Sequence, residues 1–113
     1  MTNLIKQLSA AHKKRCIEKR KKLKAWDKLC VSEGEHSIPA QIASLRFHQA
    51  VYASEKAGLQ RLKALRAARS GKLENTKATA ALDEEIKKIT EYLPKKLRNI
   101  NSHKRFITKM LEE

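Results

Sequence analysis

Four residues in the first third of the chain, His12, Cys16, Cys30 and His36, carry side chains that zinc accepts, and His12 with Cys16 at i, i+4 would make a workable pair of ligands on one helix face. The full set fails on distance. Cys30 stands about 21 Å along the same rod from Cys16 at ~1.5 Å per residue, far outside a coordination sphere of about 2.3 Å radius. Both cysteines read better as buried and unreactive, and they cannot pair with each other while that helix is intact. His103 falls on an apolar stripe and reads as a core-edge histidine with one ring nitrogen reaching solvent. His48, between Phe47 and Gln49, has no partner that spacing identifies. Asp83, Glu84 and Glu85 are adjacent, hence spread around a helix rather than converging as a general acid and base. The sequence has no phosphate-cradling glycine loop, no nucleophile elbow and no Ser or Cys with matching His and acid, so it reads as a non-enzyme that needs no metal and no cofactor.

The chemistry that remains is electrostatic. From His12 to Lys28 the chain is dominated by Lys and Arg and has no Pro or Gly to interrupt a helix. At about 100° per residue, Lys13, Lys14, Arg20, Lys21, Lys24 and Lys28 fall within one third of the helix circumference, while Leu8, Leu23, Trp26 and Cys30 fall on the opposite side. One helix thus carries a cationic stripe and an apolar stripe back to back. Arg15, Lys19 and Lys22 interrupt the apolar side, where they either lay their stems over a neighbouring helix or meet an acidic partner. Trp26 suits a partner contact or a stacked base, although its angular position favours core packing beside Leu8 and Cys30. Further along, Arg61, Lys63, Arg66 and Arg69 crowd the last turns of a second helix, where they complement its dipole and extend the basic surface. Lys19 to Lys24 also fits a nuclear-localisation pattern of low specificity.

These residues need long helices to position them. The 113-residue chain has room for one domain, and its low aromatic content and three glycines argue against sandwiches and barrels. Much of the apolar content is Ala, so the core should be thin. Helices are predicted over about 3–33, 38–70 and 76–111. The first starts near Thr2 or Asn3 and ends at Glu33-Gly34-Glu35, and Ser37 caps the second, with Pro39 tolerated in its first turn. In the second helix Ala43, Ala50, Ala57 and Ala64 repeat every seven residues, which suggests close helix pairing. Gly58 inside that helix predicts a close approach by a neighbour. Gly71 to Thr76 reads as the second connection. Leu82, Ile86, Ile89, Leu93, Leu97, Ile100, His103, Ile107 and Met110 form the seam of the third helix, with Leu93, Leu97, Ile100 and Ile107 expected to be buried, in the bundle or against a partner. Pro94 lies inside that seam without a slip in phase, so the helix should be continuous and kinked. The fold class is all-α, a single domain (1–113) built as an elongated antiparallel three-helix bundle, a long helical hairpin plus a third, Pro-kinked helix.

A net charge of +14 favours polyanionic partners, meaning nucleic acid, an acidic protein surface or an anionic membrane. The membrane is disfavoured, because helix one lacks a continuous apolar face and no stretch approaches the roughly 20 apolar residues of a span. The N-terminus lacks the apolar run of a secretion signal, which predicts a cytoplasmic location, or a nuclear one in a eukaryote. The leading functional expectation is a small accessory protein that binds DNA or RNA mainly through backbone phosphates, since a Lys-rich stripe has little with which to read bases. The alternative is a protein-interaction module, an assembly factor, inhibitor or adaptor within a larger complex, docking on an acidic surface. In size, charge and helix length the chain resembles the small basic helical-hairpin stalk proteins of flagellar and type III export ATPases, which implies such a protein partner.

Overall fold

The computed structural model describes residues 2–69 and 76–113, which form three helices: α1 (Thr2–Glu33), α2 (Ile38–Ala68) and α3 (Thr76–Glu112). The expected second connection, from Gly71 onward, lies outside the described residues. Each helix stands where the sequence predicts it, within two residues at every end.

The first connection is built by capping chemistry. The Gly34 N–H donates to the Cys30 carbonyl (3.1 Å), and Gly34 itself takes φ +91°, a left-handed conformation that a Cβ would oppose. Ser37 then holds an extended backbone, its hydroxyl accepting the Ala40 N–H (3.2 Å) and donating to the Gly34 carbonyl (2.7 Å). Pro39 follows in the first turn, where its missing N–H costs nothing. One side chain thus satisfies a free N–H of the first turn of α2 and ties that turn back to Gly34, whose carbonyl also accepts the Ser37 N–H (3.2 Å), which fixes a short reversal between α1 and α2.

The helices run up, down and up as an elongated antiparallel bundle with α2 in the middle. Contacts of Ser9 with Arg61, His12 with Gly58 and Trp26 with Phe47 set the antiparallel register of α1 on α2. Asp83 with Arg66, Lys96 with His48 and His103 with Gln41 do the same for α3. Among the described residues α1 and α3 each pack along α2 and make no close backbone approach to each other. The result measures 60 × 23 × 20 Å, with a radius of gyration of 17.9 Å where a compact chain of this length would have about 13 Å. Its accessible surface is 8270 Å², against about 6,300 Å² for a typical monomer of this mass.

A rod of this shape has a thin core, and α2 supplies most of it through small side chains. Ala40, Ala43, Ser44, Ser54 and Gly58 are buried on α2 together with Leu59, and α3 adds Ile100 and Ile107. Of the alanine row only Ala43 is buried, while Ala50, Ala57 and Ala64 are half-buried. A close approach falls at Gly58, where a Cβ would sit 3.1 Å from His12 Nε2. Ser54 tolerates its burial because its hydroxyl donates to the Val51 carbonyl at 2.8 Å.

The predicted faces of α1 and α3 need correction. On α1, Leu23 of the expected apolar side is exposed, whereas His12 and Lys19 are half-buried. On α3, Leu97 is 41% exposed and does not join the core. The residues turned towards α2 are Leu82, Ile86, Ile89, Leu93, Lys96, Ile100, His103, Ile107 and Met110, stepping alternately by four and three. That rhythm brings position 96 onto the seam and pushes 97 to its flank, whatever their hydrophobicities. The helix is continuous through Pro94. Proline has no N–H to give the Thr90 carbonyl, and the Thr90 hydroxyl donates back to the Ile86 carbonyl at 2.6 Å.

Candidate nucleic-acid interface

Because α1 is uninterrupted from Thr2 to Glu33, the angular sorting of its cations holds over its length. Lys13, Lys14, Arg20, Lys21, Lys24 and Lys28 are all exposed on the side away from α2. None of them lies within 4 Å of a carboxylate among the described residues, where the ion pairs are Arg15–Glu18, Glu35–His36, Arg66–Asp83 and Glu85–Lys88. The stripe is about 22 Å long, from Lys13 to Lys28 at a rise of ~1.5 Å per residue.

Two of the basic residues of α2 are engaged between helices. Arg61 Nε donates to Ser9 Oγ on α1 (3.0 Å), and Arg66 Nε donates to Asp83 Oδ1 on α3 (2.7 Å). These two guanidinium groups join α2 to its neighbours on either side. Lys63 and Arg69 are exposed, and Arg69 closes α2 as its C-cap, its N–H reaching the Arg66 carbonyl at 3.1 Å.

The residues that interrupt the apolar side of α1 have separate surroundings. Arg15 is exposed and pairs with Glu18 at 3.3 Å, and Lys19 is half-buried. Lys22 borders a groove of about 350 Å³ between α1 and α2, floored by Ala25, Leu29, Ile42 and Ala43 and flanked on the far side by Arg46. Trp26 is half-buried, its ring centroid 5.5 Å from that of Phe47 and 5.8 Å from that of His48. The tryptophan is therefore engaged within the bundle, as its angular position suggests.

The zinc-like set comes apart in space. His12 Nε2 and Cys16 Sγ are 3.5 Å apart, but His36 is exposed at the turn beside Glu35. No group of three His, Cys, Asp or Glu among the described residues is placed to hold a metal ion. No helix among them is long and apolar enough to cross a membrane.

A second polar cluster escapes a reading by hydrophobicity. Lys96 Nζ donates to His48 Nδ1 at 2.7 Å, and His103 Nε2 meets Gln41 Oε1 at 3.0 Å, two bonds that link α2 to α3 at successive polar positions of the seam. The His48 and His103 rings stand edge to face at 6.4 Å. Burial pushes the His48 imidazole below its ordinary value, and the charges of Lys96 and His103 push it further in the same direction. Burial likewise lowers Lys96 and His103. The signal that could have found this cluster is the four-three rhythm of α3, which lands on Lys96 when followed by count.

Comparison with protein-family models, with curated proteins and with solved structures gives no match to this chain. The functional reading therefore rests on the surface itself.

Proposed function

We propose that the protein binds nucleic acid through backbone phosphates laid along the outer face of α1. The observation that carries this reading is the stripe of Lys13, Lys14, Arg20, Lys21, Lys24 and Lys28, exposed and without carboxylate partners among the described residues. A length of about 22 Å spans roughly six base-pair rises of ~3.4 Å along a duplex axis. Lysine ammonium groups are point charges on flexible stems, suited to phosphate and poor at the bidentate pairing that distinguishes bases. Binding is therefore led by charge and shape, on DNA or RNA alike, and the chain acts as an accessory protein without catalysis of its own. Arg61 and Arg66, held by Ser9 and Asp83, contribute to the fold first and to the surface second.

The test is the salt dependence of duplex binding. Each cation–phosphate pair that is removed should flatten the plot of log affinity against log salt by about 0.9, so replacing all six stripe residues with Gln should change the slope by roughly five. A charge-matched control replaces Lys87, Lys95, Arg98, Lys104, Arg105 and Lys109, exposed on α3, and should leave the slope nearly unchanged. Equal effects of the two variants would mean that net charge acts without a defined surface, and would defeat the proposal.

A second reading, a module docking on an acidic protein, is favoured by the groove between Lys22 and Arg46, whose floor is apolar. Purification before nuclease treatment separates the two. Absorbance characteristic of nucleic acid supports the first reading, and a stoichiometric protein band supports the second.

A further inference from the structure

The α2–α3 seam carries polar groups whose hydrogen-bonding capacity is not used up by the contacts that fix its register. Along α3 the rhythm of four and three is aliphatic except at Lys96, His103 and the terminal Met110, and α2 answers the first two with His48 and Gln41. A polar layer in a helical interface often serves to fix register, and for that role each member needs its partner inside the protein. This layer is incomplete. Gln41 Nε2 donates to the Glu35 carbonyl (3.3 Å), which leaves its Oε1 to accept the His103 Nε2–H. His48 Nδ1 accepts from Lys96, so its Nε2 carries the hydrogen. That Nε2–H and the two remaining Lys96 N–H bonds have no protein acceptor among the described residues and are left to solvent or a ligand. His103 Nδ1 becomes a further donor when the ring is protonated.

These groups converge on a cavity of about 280 Å³ lined by His48, Lys96, Asn99, Ile100 and His103. On the α2 side Phe47 backs the His48 ring at 5.2 Å, and on the α1 side Trp26 does so at 5.8 Å. The groups whose charge acts on His48 are Lys96 and, when its ring is protonated, His103, with no carboxylate among them. Arg46, its neighbour but one, faces the groove towards α1 instead. Like charges gathered around a cavity repel one another, and an anion in that cavity would turn the repulsion into attraction.

We propose that His48, Lys96 and His103 form an oxyanion site that takes a phosphate group, either free or as the terminus of a phosphate monoester. Donors arriving from three side chains on two helices suit a tetrahedral oxyanion of charge near −2 better than a planar, singly charged carboxylate. The site is separate from the α1 stripe and does not rest on the nucleic-acid reading. Binding draws a proton onto His103 Nδ1, so occupancy and the charge state of both histidines are linked.

The experiment follows the imidazole carbon-bound protons of His48 and His103 by NMR through a pH titration, with inorganic phosphate or with chloride at equal ionic strength. Phosphate should raise the pKa of both rings saturably. Lys96→Met should abolish that rise while keeping the fold, because Met returns an apolar side chain of similar length to the seam. The variant with all six stripe residues changed to Gln should retain it. Adenosine 5′-monophosphate distinguishes the source, tighter binding than inorganic phosphate assigning a monoester and equal binding a free oxyanion. A titration that is the same in phosphate and chloride would overturn the proposal and leave a register-fixing layer. So would a phosphate effect that survives Lys96→Met and disappears with the stripe.

Discussion

Gly58 is the position where the packing of α1 on α2 can be tested with one methyl group. A Cβ there would lie 3.1 Å from His12 Nε2, 3.4 Å from Cδ2 and 3.6 Å from Cε1. Ordinary contacts are about 3.5–4.0 Å, so the imidazole must retreat by a few tenths of an ångström and disturb its 3.5 Å contact with Cys16 Sγ. Overpacking of this kind costs about 1–3 kcal/mol, while Ala in place of Gly in a helix interior gains about 0.8–1.0 kcal/mol. The net effect of Gly58→Ala should therefore be a destabilisation between about zero and 2 kcal/mol. In a His12→Ala background the clash is gone and the same substitution should stabilise by about 1 kcal/mol, a coupling of roughly 1–3 kcal/mol. Urea denaturation of the four proteins of this cycle, followed by helical circular dichroism, supplies the measurement. If Gly58→Ala stabilises by about 1 kcal/mol in both backgrounds, His12 does not press on Gly58 and the reasoning from this contact fails.

Three further outcomes follow from the same structure. Ile100, 5% exposed, should cost about 2–5 kcal/mol on substitution by Ala, whereas Leu97→Ala should cost less than about 1 kcal/mol; equal losses in thermal melts would restore Leu97 to the seam. Ser37→Ala removes the cap of α2 and should cost about 1 kcal/mol, read as a shift of the urea midpoint at constant slope. Burial lowers both His48 and His103 below the ordinary 6.5, with neighbouring positive charge adding to the effect at His48, so the unfolded chain takes up protons that the folded chain resists. Stability should therefore fall as pH drops from 6.5 through the lowered values, seen by comparing urea midpoints at about pH 7.5 and 5.5, and the double variant His48→Gln with His103→Gln should reduce that fall. A higher midpoint at the lower pH would contradict the assignment.

The sequence by itself determined the elements and the charge sorting, because both are local. Gly34, Ser37 and Pro39 act within a few residues of themselves, so the reversal between α1 and α2 is legible without any tertiary contact. The stripe from Lys13 to Lys28 is legible for the same reason: helical geometry alone sorts side chains around an axis, and charged ends take the water side. Pro94 is readable as an interior proline because the apolar phase passes through it. Only the tertiary structure decided which residues of a broad apolar arc become the contact line. Leu97 and Lys96 are about 100° apart on α3, and the placement of α2 alone gives the seam position to the lysine. Hydrophobicity could not reveal this, since the choice rests on the register of one helix against another. His48 likewise acquires Lys96 and His103 from across the bundle, 48 and 55 residues away in sequence, a separation that no local pattern spans. Arg61 and Arg66 look alike in the sequence, as two cations near a helix end. One reaches Ser9 and the other Asp83 because the helix that carries them is the one packed on both sides.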